Sequence, residues 1–439
     1  MKHGVLHILL INPWITDFAA YNFWIKPHGL LYLASLLRNR RCKITLIDCL
    51  DSIARRKEYG DGKFTKIAIE KPYPLKGIPR KYSRYGISRE LFRSKLCEVE
   101  KPDLIGVTSG MTYWYPGLFE AIKMVREFFE KVPIILGGIY PTLCYEHAVK
   151  YSEADYVIRG RGEPKVFKII SQLLGLELPV ANCELGIDDS PYPAFDLYPY
   201  LDYVSIMTSR GCPFRCSYCA SPIISKQFMR RDPLKVVEEI AHWTNYHRVR
   251  NIAFYDDALL VNPFEHIIEI LKEIKRRAIE CNFHSPNGLH VREITSQLAD
   301  LLYRCRFRTL RLGLETSNLA KQVESGGKVD NREFEEAVRN LKQAGYLGNE
   351  IGVYVMAGLP GQRVGEVEEC IAFVKEKGAK PILVEYSPVP ETPLFEKAQK
   401  MSQFDLENEP LFHNNSILPC QWDGFTLTDL QRVKSELKS

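Results

Sequence analysis

The sequence predicts an α/β protein in two parts: an N-terminal doubly wound (Rossmann-like) parallel sheet domain, then a partial (β/α)6 TIM-type barrel. Three observations carry that prediction. Short apolar runs alternate with stretches of helical period along most of the chain, the pattern of a parallel sheet covered by helices. The alternation is interrupted at Asp188-Asp189-Ser190-Pro191-Tyr192-Pro193, where proline and acidic turn formers mark a boundary. Beyond it, six strand-like runs are separated by helices, as in a barrel of βα units. A length of 439 residues suits two or three domains. The expected division is a sheet domain over 1–178, a linker over 179–200, a barrel over 201–395 and a short tail over 396–439.

The elements follow in order. Leu6–Ile11 is an apolar run that stops at Asn12-Pro13 and reads as a first strand. Its internal histidine and the Trp14 and Asp17 that follow argue against a signal peptide. Leu30, Leu31, Leu33, Ala34 and Leu37 give a helical period, and Lys43–Asp48 a second strand. Residues 51–100 are polar and weakly periodic, as in an insertion or long loop. Strands resume at Leu104–Thr108, Pro133–Leu136 and Tyr156–Ile158, with helices near 116–130 and 164–174. In the second series, strands are expected at 203–208, 251–256, 281–286, 309–315, 351–357 and 382–386. Helices fall near 233–247, 263–279, 294–304, 331–344 and 363–377. In the fourth of these, Phe334, Ala337, Val338, Leu341 and Ala344 share one face, Asp330 with Glu333 forms a capping-box pattern, and Gly345 marks the stop.

Composition excludes several classes. With 45% hydrophobic and 26% charged residues the chain is neither disordered nor membrane-embedded, and no apolar run reaches the roughly 18 residues of a membrane span. A net charge of +5 over this length gives little support for nucleic-acid binding. Twelve cysteines are too sparse for a disulfide scaffold, so a reducing, cytoplasmic setting is expected, where clustered cysteines bind metal or react.

Three cysteines are clustered. The first barrel strand runs into Thr208-Ser209-Arg210-Gly211-Cys212-Pro213-Phe214-Arg215-Cys216-Ser217-Tyr218-Cys219, a C-x-x-x-C-x-x-C spacing. Three thiolates on one short loop can hold three metals of a compact cluster and leave a fourth open to a small molecule, whereas closed electron-transfer clusters normally use four. A zinc site would want a fourth ligand, and the closest later candidates, His242 and His247, fall on a predicted helix. A thioredoxin-like Cys216–Cys219 pair would leave Cys212 idle. The other nine cysteines read as small buried hydrophobes, Cys420 being the hardest to dismiss.

On this motif the chain resembles the radical S-adenosylmethionine superfamily, and within it the members with an N-terminal cobalamin-binding-type domain. The resemblance implies a 4Fe-4S cluster on Cys212, Cys216 and Cys219, with S-adenosylmethionine on the fourth iron and Tyr218 near the adenine. It also implies reductive cleavage to methionine and a 5′-deoxyadenosyl radical. Further segments agree, each at a strand end. Phe254-Tyr255-Asp256-Asp257 resembles the family's acidic segment, which would put Asp256 and Asp257 at the cofactor. Arg311-Leu312-Gly313-Leu314-Glu315-Thr316-Ser317 does the same for Glu315, and Met356-Ala357-Gly358-Leu359-Pro360-Gly361 for Gly358 beside adenine. Glu385–Leu394 resembles the segment closing the sixth strand.

In the first domain, Val107-Thr108-Ser109-Gly110, Leu136-Gly137-Gly138-Ile139-Tyr140-Pro141-Thr142 and Arg159-Gly160-Arg161-Gly162-Glu163 resemble segments of cobalamin-binding radical enzymes. Thr108, Ser109, Gly137 and Gly138 are the implied cobalamin contacts. A D-x-H-x-x-G motif is absent, so no histidine from it would ligate cobalt. Met111-Thr112-Tyr113-Trp114-Tyr115-Pro116 could wall a cofactor or pack an interface.

The implied function is cobalamin-dependent radical chemistry with methyl transfer to an unactivated carbon. One alternative keeps the architecture and catalyses a rearrangement, cyclisation, oxidation or C–C coupling without cobalamin. A remoter one is a metal or nucleic-acid binding module, supported only by basic runs such as Arg55-Arg56-Lys57. The implied partners are a small-molecule, natural-product or lipid-type substrate and an external one-electron reductant such as flavodoxin or ferredoxin, with no membrane span and no nucleic acid. The sequence does not identify which side chains act on the substrate.

Overall fold

A computed structural model describes residues 5–174 and 187–437. The chain divides into two compact units, Met1–Leu201 and Asp202–Ser439.

The first unit is built on five parallel strands: β1 (His7–Asn12), β2 (Lys43–Asp48), β3 (Leu104–Val107), β4 (Ile134–Leu136) and β5 (Tyr156–Val157). Their order across the sheet is β5-β4-β3-β1-β2. This is a doubly wound order with its switch point between β1 and β3. Strand residues alternate between two buried faces. Leu9, Ile11, Ile105, Val107, Ile134 and Leu136 pack with helices α2 (Arg89–Glu98) and α3 (Tyr115–Phe128). Ile8, Leu10, Leu104 and Ile135 pack on the other side with α1 (His28–Arg38) and α6 (Glu163–Leu174). Both faces are apolar because both are covered, which is why these strands read as continuous hydrophobic runs. Two short helices, α4 (Ile139–Leu143) and α5 (Tyr145–Tyr151), intervene between β4 and β5.

Residues 51–100 are more ordered than their sequence suggests. They hold a hairpin of Ile53–Arg56 with Gly62–Phe64, the helix α2, and two strands, Lys66–Ala68 and Ser83–Tyr85. The latter pair in an antiparallel sheet with Ile15–Asp17. Strands of three or four residues leave too short a run for period 2 to show. The aromatic cluster after β3 packs within this unit: Trp114 donates Nε1–H to Asp17 Oδ2 at 2.8 Å and lies against Ile15, Leu50, Phe64 and Tyr85. The part of the expected linker that is described, 187–200, is bound to the first unit. Ser35 Oγ donates to Tyr192 O at 2.6 Å, Arg38 pairs with Asp196 at 2.8 Å, and Tyr198 donates to the buried Asp48 carboxylate. Cys183 lies outside the described residues.

The second unit has six parallel strands in sequence order: β6 (Val204–Ile206), β7 (Asn251–Phe254), β8 (Asn282–His284), β9 (Phe307–Glu315), β10 (Ile351–Ala357) and β11 (Lys380–Glu385). The two end strands pair on one side only, so the barrel is open. Phe254, Phe283 and Phe307 stack across β7, β8 and β9 with centroids 5.4–5.6 Å apart. Helices α8 (Pro233–Tyr246), α9 (Ile267–Arg276), α10 (Ser296–Arg304), α12 (Asn331–Ala344) and α13 (Val364–Glu376) connect them, with two short helices, α7 (Ser221–Ile224) and α11 (Leu319–Glu324), in the loops that follow β6 and β9. The α12 capping box is formed, with Glu333 N–H 2.8 Å from Asp330 Oδ1 and Asp330 N–H 2.9 Å from Glu333 Oε2, and Gly345 is left-handed. The tail is part of this unit. It contributes α14 (Pro393–Met401) and α15 (Leu427–Glu436), and Cys420 and Leu406 bury with Tyr386, Leu394, Phe395 and Ala398.

Candidate functional site

The cysteine loop leaves the C-terminal end of β6. Ser209–Arg210 pair antiparallel with Met229–Arg230, and Gly211 follows at φ +76°, where a Cβ would lie 2.6 Å from Gln227 O. Only glycine fits that turn. Cys212, Cys216 and Cys219 then lie half-buried on one loop. Ser217 fastens the loop on both sides: its N–H donates to Ser325 O at 3.2 Å and its carbonyl accepts from Leu394 N–H at 2.9 Å. Gly326, at φ +120°, packs on the loop backbone, with its Cβ position 3.2 Å from the Cys216 Cα. Among the described residues no three His, Cys, Asp or Glu side chains are drawn together around a single metal ion. Thiolates that each take a different iron of a cluster stand apart from one another.

Burial pushes the Cys212 thiol up to about 11 and raises Cys216 and Cys219 as well. Thiolates at these positions require a positive partner, and binding one releases protons. Tyr218 and Tyr386 each bury a hydroxyl without a hydrogen-bond partner, and both belong to the apolar cluster around Cys420. The Tyr218 hydroxyl lies beside the Cys216 sulfur, which is only a weak hydrogen-bond acceptor. Buried orphan hydroxyls cost about 1–3 kcal/mol each unless a ligand satisfies them.

The acidic residues divide. Asp256 is buried, and its carboxylate accepts from Thr208 N–H at 2.9 Å, Thr208 Oγ1 at 2.8 Å and Ser209 Oγ at 2.6 Å. It holds the base of the cysteine loop instead of facing open space. Asp257 is exposed and accepts from Ser221 Oγ, and Ser221 N–H lies 3.4 Å from Cys219 Sγ. Glu315 ends β9 just past a bulge at Gly313/Glu315, in a left-handed conformation at φ +63°. Bulges re-aim side chains. Here Glu315 Oε1 meets Lys328 Nζ at 2.8 Å, folded over Gly313, where a Cβ would lie 2.9 Å from Oε1 and 3.1 Å from Nζ. Lys328 Nζ is also 5.9 Å from the Tyr218 ring centroid.

Gly358 is demanded by the chain itself. It sits at φ +86°, and a Cβ would lie 2.4 Å from Leu418 Cδ1. The buried Gln362 fixes its turn, accepting from Gly358 N–H at 2.8 Å and donating to Met356 O at 3.0 Å. Lys328, Gln362 and Leu418 had no signal in the sequence, because no spacing or composition distinguishes them from surface or core residues.

In the first unit the candidate residues gather at the C-terminal ends of β3 and β4. Ser109 is buried there: its hydroxyl donates to Gly137 O at 3.1 Å and its carbonyl accepts from Ile139 N–H at 3.1 Å. Gly138, at φ +107°, closes against it, with a Cβ position 2.4 Å from Ser109 O. Thr108 N–H donates to Ile11 O at 3.1 Å. Gly137 and Gly162 are different: both have ordinary φ and nothing within 4 Å of a Cβ, and Gly160 also faces open space. Neither steric room nor backbone angle within this unit demands glycine at 137 or 162, whereas a flat ligand lying on the backbone would.

Comparisons agree with this geometry. Residues 206–374 match the Radical SAM superfamily, and residues 90–167 match the B12 binding domain. An uncharacterized methyltransferase of Pyrococcus horikoshii is 24% identical over 380 residues, 78% of this chain and 77% of its own. An anaerobic magnesium-protoporphyrin IX monomethyl ester cyclase of Rubrivivax gelatinosus is 24% identical over 363 residues, 73% of this chain. The match covers 63% of that cyclase, so the chain spans less than two thirds of its length. The structure of the radical S-adenosylmethionine methyltransferase TsrM from Kitasatospora setae, with cobalamin and [4Fe-4S] cluster bound, has the same fold. Its TM-score is 0.67 at 16% identity, over 92% of this chain and 76% of that one. The cofactors that go with the two matched domains are a 4Fe-4S cluster, S-adenosylmethionine and cobalamin. The half-buried thiols, the orphan hydroxyls and the uncrowded glycines fit these groups. The chain is an enzyme that carries a B12-binding domain followed by a domain of the radical SAM superfamily.

Proposed function

We propose that the protein is a cobalamin-dependent radical S-adenosylmethionine C-methyltransferase acting on an unactivated carbon. The observation that carries this is the cysteine loop, fastened at Ser217 and bordered by orphaned tyrosine hydroxyls. Cys212, Cys216 and Cys219 are the cluster ligands in this reading. Tyr218, Asp257 and Glu315 face the nucleoside and amino-acid parts of S-adenosylmethionine, while Asp256 and Gly358 shape the loop and turn that position them. Thr108, Ser109, Gly137 and Gly138 form the cobalamin cradle, and the functional modules divide as 1–178 and 201–395. When bound, the cluster supplies one electron for cleavage of S-adenosylmethionine, and cobalamin carries the methyl group. The chain's own part is to hold thiolates, to offer hydroxyl donors at Tyr218 and Tyr386, and to exclude water with the apolar shell of Phe395, Leu406 and Cys420.

A second reading, ring formation without methyl transfer, is supported by the likeness to the cyclase. The substrate is a small natural-product or lipid-type molecule, and the electron comes from an external donor such as flavodoxin or ferredoxin. A reducing, cytoplasmic setting goes with this reading, since twelve cysteines over 439 residues are too sparse for a disulfide scaffold.

The test is anaerobic reconstitution of the full chain with iron, sulfide and hydroxocobalamin. Four irons, one corrinoid and 5′-deoxyadenosine formation are expected, and Cys212→Ala and Cys216→Ala should lose iron and cleavage together. Deoxyadenosine made by either variant at the wild-type rate would refute the cluster assignment. A cluster without bound corrinoid would favour the second reading.

A further inference from the structure

Lys328 is a largely covered cation at the cysteine loop. It follows the turn Gly326-Gly327, whose preceding residue, Ser325, receives the Ser217 N–H at 3.2 Å. Its side chain is 15% exposed and is paired with Glu315, itself 13% exposed. Burial alone would lower its pKa. The pKa is nevertheless raised, because Glu315, Cys216 and Cys219 together outweigh burial.

Neutralising Glu315 is not all that Lys328 does. A balanced ion pair seen from its side would leave the nearby sulfurs unaffected. Lys328 Nζ also lies 5.9 Å from the ring centroid of Tyr218, which stands between Cys216 and Cys219 in the chain. Burial raises the Cys216 thiol, and the nearby Lys328 acts to lower it. Cys219 is also lowered by Lys328. The ammonium thus stands beside the cysteine loop, two residues past Gly326, whose Cβ position is 3.2 Å from the Cys216 Cα. Gly313 leaves the space in which both groups fold over the strand.

A four-iron cluster on three thiolates carries one net negative charge when oxidised and two when reduced. In a site of low effective dielectric the second charge is costly unless a cation stands close. We propose that Lys328, held by Glu315, is a positioning residue that offsets this added charge and raises the reduction potential of the cluster on Cys212, Cys216 and Cys219. The inference rests on the cluster reading above. The step is a one-electron reduction: the external donor is oxidised, the cluster is reduced, no bond forms or breaks, and the proton stays on Nζ.

The experiment is an EPR-monitored redox titration of the reconstituted full chain without S-adenosylmethionine. In Lys328→Gln the cation is gone and Glu315 is unopposed. The reduced-to-oxidised ratio at fixed ambient potential should fall at least tenfold, about 59 mV for a one-electron couple. Glu315→Gln should shift the potential the other way. Opposite signs follow from charge and not from loosened packing, so unchanged potentials, or shifts of one sign in both variants, would overturn the proposal. Lys328→Arg keeps the charge. If Lys328→Gln takes up no cluster while Lys328→Arg loads at the wild-type potential, the proposal stands. If neither loads, the role is structural and the proposal fails. Iron and sulfide content of the wild type reads the underlying cluster separately: a wild type that binds neither removes the function proposed above along with this inference.

Discussion

At the scale of single residues, glycines separate what the chain needs from what a ligand needs. Gly138 is left-handed against Ser109 O, so Gly138→Ala should cost about 1–3 kcal/mol in a denaturant melt. Gly137→Ala meets nothing and has an ordinary backbone. It should leave stability unchanged, or raise it by up to about 1 kcal/mol through the unfolded state, while weakening hydroxocobalamin binding. Equal corrinoid affinity in Gly137→Ala and wild type would place the cofactor elsewhere. From the sequence the two neighbours look alike, since a Gly-Gly pair does not say which member serves the turn. The three cysteines were legible because their spacing is local. Lys328 was not, because its meaning comes from Glu315 and Cys216, which other strands and loops bring to it.

At the scale of elements, several strand and loop histidines are buried neutral. Burial lowers His266 to about 4, and His284 and His290 to about 3, against an unfolded value near 6.5. Between those limits the unfolded chain binds more protons than the native one, so stability rises with pH. It should therefore be fully present above about pH 6.5 and be lost progressively as pH falls toward 4. Urea midpoints at pH 7 and pH 5 would show it, and a higher midpoint at pH 5 would contradict it. The element pattern was itself largely readable. Helix α12 announced its cap, its apolar face and its stop, and the parallel strands stood out as apolar runs. The bulge that turns Glu315 onto Lys328 and the short antiparallel strands of residues 53–85 were not. A bulge is a mismatch between two strands, and neither strand's sequence contains it.

At the scale of the whole molecule, each unit carries its own sheet and its own core, so each cofactor should leave its own footprint. In hydrogen–deuterium exchange, hydroxocobalamin should protect residues 134–162 most strongly, and cluster loading residues 209–221 and 325–329. Protection elsewhere with none in those segments would argue against the assignment. The fastening of Ser217 carries a last consequence, for the order of events as the protein forms. Its two partners, Ser325 and Leu394, lie far downstream, beyond several strands and helices. The loop of three thiols thus cannot be fastened until the chain as far as Leu394 has been made and brought back to it. Until then it is a slack tether of soft ligands, open to zinc as readily as to iron and sulfide. Delivery of the right metal is a race against the chain's own closure.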